Sequence, residues 1–104
     1  MSMFRQGDVL LVPVTEMPRG RPIEADEGRL VLARGEATGH HHSVAVAHGE
    51  LVDAAEGVFL RIMAPTPLEH QEHAPITLQP GVYRVVRQRE YVPGAIDRLR
   101  ILLD

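Results

Sequence analysis

The sequence predicts a small all-β domain, a barrel or jelly roll of about six to eight short antiparallel strands. Two observations indicate this fold class: short apolar segments recur at roughly ten-residue spacing, and Gly- and Pro-rich turns separate them. The chain has 104 residues, about the size of one domain. Residues 1–104 are therefore predicted to form a single β-barrel or sandwich domain.

The first third of the chain predicts two strands and a loop. Asp8–Val14 is a nearly continuous apolar segment, which is typical of a strand covered on both faces. Pro13 places the end of this strand at a sheet edge or a bulge, because proline cannot donate a ladder hydrogen bond. Thr15–Asp26 contains prolines, a glycine and mixed charges without periodicity, so we expect a loop. Gly28–Gly35 is predicted to be a strand, followed by a turn at Glu36–Gly39.

The middle of the chain predicts further short strands. A histidine-containing strand is expected to continue to about His48, where Gly49 breaks it, and Glu50–Asp53 is a candidate strand. Val58–Met63 alternates between apolar and other side chains, as a half-buried strand does. Ala64–Pro67 must be extended, because each proline also restricts the residue before it.

The last part of the sequence predicts a hairpin. Ile76–Gln79 and Val82–Arg87 flank Pro80-Gly81, and proline followed by glycine suits the two central positions of a type II turn. The second strand is expected to continue to Val92. The spacing of apolar residues in Ala95–Asp104 permits either a short helix or a strand, and both alternatives stay open.

The histidine-containing strand is the centre of the predicted site. All six histidines of the chain lie between His40 and His73. Side chains in a strand alternate between its two faces. His40 and His42 therefore share a face with Val44 and Val46, and the valines indicate that this face is the buried one.

A second group of imidazoles and carboxylates follows at Leu68–Pro75. Histidines three residues apart, as in this group, meet on one side of a tight loop. The chain has no cysteine, so any metal must be held by nitrogen and oxygen ligands. The sequence therefore predicts that the fold joins the two groups around a divalent metal ion such as zinc, iron or manganese. The predicted ligands are His40, His42, His70 and His73.

Other interpretations of the histidines stay open. A histidine-rich loop can be solvated, as we expect for His41 and His48, and a single inward histidine can be a hydrogen-bonded core residue. A ligating histidine also needs a hydrogen-bond partner for its other ring nitrogen. Gln88, Glu90 and Thr38 are candidates for that partner by residue type.

The spacing of His40 and His42 on a predicted strand resembles the cupin family, in which a His-x-His strand binds a metal ion inside a small barrel. The resemblance covers part of the chain and implies a metal-holding barrel. The sequence departs from the family at Ala45–Ala47, where cupins carry a glutamate. It departs again at Pro80-Gly81, which follows the last histidine, His73, where cupins have Pro-x-Gly before it.

The wider pattern is similar to short uncharacterised bacterial and phage proteins. The similarity rests on three segments of the chain: Gly35–His42, Leu68–Ile76 and Gln88–Tyr91. It implies no function.

The strand predicted after the hairpin turn becomes polar at its end, which indicates a strand that leaves the core at the mouth of a cleft. Gln88, Arg89 and Tyr91 are candidate substrate-binding residues, with the arginine suited to an anion and the tyrosine to a hydrogen bond. Glu90 is a candidate general base, and Glu72 in the second histidine group is another. The alternative is a solvated strand end with an internal arginine–glutamate pair.

Composition restricts the class of protein. The net charge of −3 gives no general attraction to nucleic acid or anionic lipid, so no nucleic-acid partner is predicted. The chain has neither an apolar stretch of about 18 residues nor a secretory signal pattern, so we expect a cytoplasmic protein without a membrane segment. The small size favours a homodimer, because association adds buried surface.

Two classes of function follow from these observations. The leading hypothesis is a metal-dependent hydrolase or isomerase with a glutamate as the base, or a structural metal site if all four histidines bind the ion. The alternative is a non-catalytic accessory or adapter protein that binds a protein partner through a strand edge or an arginine-rich surface. The first hypothesis requires histidines of the two groups to converge in a cleft.

Overall fold

A computed structural model describes residues 2–35 and 39–88, and these residues form an all-β domain, as the sequence predicts. Ten strands are present in the described residues, together with a 3₁₀ turn at Val46–His48. The strands are β1 (Phe4–Gln6), β2 (Val9–Val14), β3 (Gly20–Pro22), β4 (Arg29–Arg34), β5 (His41–Ala45), β6 (Gly49–Ala54), β7 (Gly57–Ile62), β8 (Thr66–Leu68), β9 (Ile76–Leu78) and β10 (Gly81–Arg87).

Six of these strands form one antiparallel sheet in the order β1-β2-β10-β7-β6-β3. β10 lies inside this sheet and pairs with both β2 and β7. β1 pairs with the first three residues of β2, Val9–Leu11. Pro13 lies beyond that pairing, so its missing N–H removes no hydrogen bond to β1.

A two-residue turn, Gly7-Asp8, joins β1 to β2. Gln6 and Val9 pair across it, and Gly7 has a φ of 60°. A type II′ turn requires this left-handed conformation at its first central position, where glycine adopts it without steric cost. The hairpin thus fixes the last residue of β1, Gln6, close to the turn residue Asp8.

The remaining strands form two small antiparallel sheets, β4 with β5 and β8 with β9. A backbone bridge between Ser43 in β5 and Glu69 after β8 joins them. All three sheets contribute to one hydrophobic core. Its buried members are Val9, Leu11, Leu30, Val44, Leu51, Leu60, Ile62, Leu68, Leu78 and Tyr83.

Tyr83 is the largest side chain in this core. The residue is 1% exposed, and its ring meets that of Phe4 edge-on with centroids 5.8 Å apart. Its hydroxyl donates a hydrogen bond of 2.7 Å to the carbonyl of Gln79. The ring is therefore buried while its one polar atom keeps a partner, which is the usual condition for tyrosine in a core.

The predicted barrel is not found: the described residues form three open sheets that suit a small sandwich-like domain, without barrel closure. The expected loop Thr15–Asp26 contains one short strand, β3, which pairs with β6. Most of the turn expected at Glu36–Gly39, the continuation of the last strand to Val92 and the tail Ala95–Asp104 lie outside the described residues.

The predicted hairpin across Pro80-Gly81 is wrong. Ile76–Leu78 pairs with β8, whereas Gly81–Arg87 crosses into the large sheet. Gly81 has a φ of 153°, far from the value of about 80° that a type II turn needs. The physical reason is strand pairing: β2 and β7 occupy the two sides of β10, so neither side is left to pair with Ile76–Leu78.

The histidine strand ends earlier than predicted. β5 stops at Ala45, and Gly49, expected to be a break, begins β6. Val46 is 43% exposed, whereas Ser43, on the face expected to be polar, is buried. β5 is covered on both faces, since Arg29 donates hydrogen bonds to the hydroxyl and the carbonyl of Ser43 at 3.1 and 3.0 Å.

Candidate metal centre

The two histidine groups meet because backbone pairing joins the segments that carry them. Ser43 and Glu69 exchange two backbone hydrogen bonds, of 3.0 and 2.9 Å. The amide of His41 donates a further hydrogen bond of 2.8 Å to the side-chain oxygen of Gln71. β5 and the loop after β8 are thereby fixed against each other, and imidazoles from both come into contact.

The four histidines predicted as ligands, His40, His42, His70 and His73, form one group of rings, the histidine cluster. The ring centroid of His70 lies 4.3 Å from that of His42, 4.6 Å from that of His73 and 5.6 Å from that of His40. The centroids of His42 and His73 are 5.9 Å apart. Two imidazoles bound to one ion, with nitrogen–metal distances of about 2.0–2.1 Å, have centroids roughly 4.5–5.5 Å apart. The spacing of the cluster is close to that range.

Gln6 determines which nitrogen of His42 carries a proton. The amide nitrogen of Gln6 donates to the carbonyls of Leu68 and Ala74, both at 2.9 Å. Its amide oxygen therefore faces the other way, where it lies 2.8 Å from Nδ1 of His42. Because an amide oxygen only accepts, Nδ1 holds the proton and Nε2 holds the lone pair. Histidines that bind metals are oriented by such a partner on the second nitrogen.

Burial keeps His42 in its neutral form. The residue is 4% exposed. Desolvation lowers the pKa of His42 to about 4, and the neighbouring His70 and His73 act in the same direction, whereas Asp8 opposes them. At neutral pH the ring is therefore uncharged, which is the form in which imidazole binds a metal.

The lone pair of His42 faces a carboxylate. Oδ1 of Asp8 lies 3.4 Å from Nε2 of His42, and Oδ2 of Asp8 accepts a hydrogen bond of 2.8 Å from Arg87. That hydrogen bond is the main reason that the pKa of Asp8 lies below its usual value, so Asp8 is ionised at neutral pH. Two acceptors thus face each other without a proton between them. A cation at this place would satisfy both.

Gly7 leaves room for the rings beside this carboxylate. A Cβ atom added to Gly7 would lie 2.7 Å from Nε2 of His73 and 3.3 Å from Cε1 of His42. Both rings therefore approach the turn that carries Asp8. Side chains from three separate segments, the β1–β2 turn, β5 and the loop after β8, converge there.

His70 uses its Nδ1 atom to shape its own loop. That atom accepts hydrogen bonds from the backbone amides of Glu72 and His73, at 3.0 and 3.3 Å. Burial, above the effect of neighbouring rings, lowers the pKa of His70. The neutral ring then has its proton on Nε2, so in this arrangement neither nitrogen offers a lone pair to an ion. His70 instead fixes the loop that presents His73.

His40 lies at the exposed side of the cluster. Its Nδ1 atom is 2.6 Å from Oε1 of Glu72, and the two side chains are 30% and 66% exposed. Glu72, one of the two predicted bases, is thus paired with a histidine of the cluster. Its role as a base stays a prediction.

The side chains of the cluster and of Asp8 are close together without the geometry of a complete coordination shell. Within residues 2–35 and 39–88, no group of three or more His, Asp or Glu side chains is arranged to hold a metal ion as it stands. Metal binding would therefore require side-chain movement, for which the exposed ring of His73 has room.

A cleft of about 380 Å³ opens beside the cluster. It is lined by Arg5, Gly7, Asp8, His73 and Gln88. A second cleft, of about 320 Å³, lies along Arg29, His41 and His70. Arg29 in this second cleft is committed to Ser43 and to Glu69, the latter at 3.0 Å. The first cleft therefore places one histidine of the cluster, His73, beside Arg5, an arginine that has no acidic partner among the described residues.

Of the predicted substrate-binding residues, Gln88 lines this first cleft and accepts a hydrogen bond from Arg5. Arg89, Tyr91 and the predicted base Glu90 lie outside the described residues. The part that these four residues play in binding or catalysis stays a prediction.

Sequence reasoning missed the contribution of the first hairpin. Gln6 lies 36 positions before His42, and the local pattern around Gly7-Asp8 indicates a turn without indicating what the turn touches. One signal was available. Side chains alternate along a strand, so Gln6 lies on the same face of β1 as the apolar Phe4. This predicts that its amide is buried in the core, where it needs hydrogen-bond partners.

The protein is a small antiparallel β domain in which the first hairpin and two histidine-bearing segments meet at one polar centre. The chain belongs to the family described as Domain of unknown function (DUF8820), whose model matches residues 5–88. That range includes Gln6, Asp8 and the whole histidine cluster. Comparison with curated proteins and with solved structures gives no match.

Membership of this family agrees with the expected similarity to uncharacterised proteins. A bacterial or phage origin and the likeness to cupins stay predictions. No helix of the described residues has the length and apolar character needed to cross a membrane. The cytoplasmic location, the homodimer and the lack of a nucleic-acid partner also stay predictions.

Proposed function

We propose that the protein binds a divalent metal ion through His42 and His73, with Asp8 as a carboxylate ligand. Coordination positions remain open toward the cleft beside Gly7. His70 and His40 lie beside these ligands. His70 fixes the loop that carries His73, and His40 lies at the exposed side of the centre.

One observation carries the proposal. The lone pair of His42 Nε2 and Oδ1 of Asp8 face each other at 3.4 Å, although both groups are acceptors. Two acceptors that face each other at this distance repel, and the burial of the His42 ring limits how far water can screen them, although the Asp8 side chain is 31% exposed. A cation removes this repulsion and gains two ligands that the fold already orients, since Gln6 fixes the ring and Arg87 fixes the carboxylate.

The donor set supports a first-row metal such as zinc, iron or manganese. Two imidazoles and one carboxylate are the ligands of several hydrolytic zinc sites and of non-haem iron sites, both of which keep positions open for water or substrate. Such a metal would supply a Lewis acid and an activated water in the cleft. A metal-assisted hydrolysis or an isomerisation both suit this chemistry.

Convergence in a cleft favours this function over a non-catalytic adapter. The adapter hypothesis needs no contact between the two histidine groups. The metal hypothesis needs several histidines near a concave surface, and the ring distances and the cleft beside His73 support that requirement.

The test is metal binding by untagged protein that has been stripped with a chelator. Calorimetric titration with Zn²⁺, and absorption spectra with Co²⁺, should give about one ion per chain. His73→Ala and Asp8→Asn should lose this binding while circular dichroism shows that they stay folded. His73 is exposed and Asp8 is partly exposed, so neither change removes core packing.

His48→Ala is the matched control, because His48 is an exposed histidine on the 3₁₀ turn after β5. It should bind metal like the unmodified chain. Folded protein that fails to bind added Zn²⁺, Mn²⁺ or Fe²⁺ would disprove the proposal. Equal loss in His48→Ala and His73→Ala would show that the binding is unspecific.

A further inference from the structure

Arg5 stands at the cleft beside the proposed metal centre. It lies on β1, is exposed, and lines the cleft with His73 and Gln88. The side-chain oxygen of Gln88 accepts a hydrogen bond from one guanidinium nitrogen of Arg5. A guanidinium has five N–H donors, so most of the fork remains available while Gln88 restricts its orientation.

Arg5 is the charged residue of the cleft that has no counter-charge. The cleft contains a single acidic residue, Asp8, and that carboxylate already pairs with Arg87 at 2.8 Å. No acidic side chain of the described residues forms an ion pair with Arg5. Counted with Arg87 beside it, the two arginines and the one carboxylate sum to a charge of +1, so the charge of Arg5 is left without a counter-charge among the described residues at this cleft.

The size of the cleft sets a limit on the ligand. About 380 Å³ is near the lower end of the range of roughly 300–1,000 Å³ in which proteins bind small molecules. Arginine binds carboxylate and phosphate oxygens with two parallel hydrogen bonds, which fix the orientation of the anion.

We propose that this cleft binds a small molecule with a carboxylate or phosphate group, which Arg5 holds while the rest of the molecule extends toward His73. This assigns the substrate class of the centre and rests on the proposed function. The binding of an anion by Arg5 has its own readout, separate from the binding of metal.

The experiment uses the full chain loaded with Co²⁺ and titrates it with succinate, with inorganic phosphate and with succinamide, the uncharged counterpart of succinate. Calorimetry measures the affinity, and the Co²⁺ absorption spectrum reports ligands that reach the metal. The variant is Arg5→Met, which keeps an unbranched apolar stem and removes the guanidinium group. The control is Arg21→Met, since Arg21 is exposed on β3, at the opposite edge of the large sheet from β1.

The expected result is that succinate or phosphate binds, that succinamide does not, and that Arg5→Met weakens the anion at least about tenfold while Arg21→Met leaves it unchanged. The tighter of the two anions identifies the group as a carboxylate or a phosphate. Equal affinity of Arg5→Met and the unmodified chain, or equal binding of succinamide, would overturn the proposal. If no Co²⁺ binds, the metal function fails, and the same titration of metal-free protein still tests Arg5.

Discussion

The amide oxygen of Gln6 lies 2.8 Å from Nδ1 of His42. The same amide donates to the carbonyls of Leu68 and Ala74. One buried side chain thus ties together the end of β1, the strand β5 and both ends of the second histidine group. The histidine cluster depends on this amide for its shape, and four predictions test the arrangement.

Gln6→Leu should destabilise the protein strongly. The change leaves the carbonyl of Leu68 and the imidazole N–H of His42 without partners in a buried place, and each such group costs about 1–3 kcal/mol; the carbonyl of Ala74 loses a partner in a half-buried one. We expect a loss of about 3 kcal/mol or more in the free energy of unfolding, measured by urea denaturation. Gln79→Leu is the control, because the Gln79 side chain is exposed, and it should change stability by less than about 0.5 kcal/mol. Equal losses in the two variants would contradict the role of Gln6.

The stability of the metal-free protein should fall as the pH is lowered from about 6.5 to about 4. His42 has its ordinary pKa of 6.5 in the unfolded chain and a pKa of about 4 in the folded protein, so acid favours the unfolded state. The contribution of neutral His42 to the free energy of unfolding is complete above pH 6.5 and lost below pH 4. It can be at most about 3 kcal/mol. His70, whose pKa is also lowered, acts in the same direction.

The measurement is a series of urea denaturations in chelator across that range of pH. Asp8 does not contribute to the slope in this range. Its pKa lies below 3.8 in the folded protein, so its own effect on stability occurs at a lower pH. In His42→Asn, whose amide can still donate to Gln6, the slope between pH 6.5 and pH 4 should decrease. An unchanged slope would show that other groups cause it.

Gly7→Ala should weaken metal binding, and Gly28→Ala should not. Both glycines have positive φ, 60° and 80°, so alanine at either place costs about 1–2 kcal/mol of stability. Only at Gly7 would the new Cβ press on His73, at 2.7 Å from Nε2, whereas nothing lies within 4 Å of a Cβ at Gly28. Zinc titration of the two variants separates the backbone cost from the steric effect. Equal zinc affinity in both would show that His73 does not bind the ion beside Gly7.

His70→Asn should keep both the fold and the metal. The asparagine oxygen can accept the hydrogen bonds of the amides that follow it, as in an Asx turn, whereas His70→Leu leaves those amides without an acceptor. We expect the leucine variant to lose metal affinity through disorder of the loop that carries His73. If the asparagine variant stays folded but no longer binds zinc, His70 is itself a ligand, as the sequence alone predicts.

Local pattern was enough to predict the strands with clear alternation and the inward direction of His42. It also indicated that the two histidine groups belong together, because their residue types have a shared chemistry. It was not enough for Gln6 and Asp8, whose contacts depend on pairing between distant strands. The same limit explains the wrong hairpin at Pro80-Gly81, since turn residues describe a local preference and the partners of β10 are decided by the rest of the sheet.

The position of β10 has a consequence for the order of events during synthesis. β10 is the last strand of the described residues and lies between β2 and β7. The large sheet therefore cannot form completely until residues 81–87 have left the ribosome. Arg87, which holds the carboxylate of Asp8, arrives with the same strand. The four histidines of the cluster have by then been translated without the strand that completes their surroundings. Non-local pairing of this kind folds slowly, so a nascent chain would expose its imidazoles to cellular metals before it could select among them.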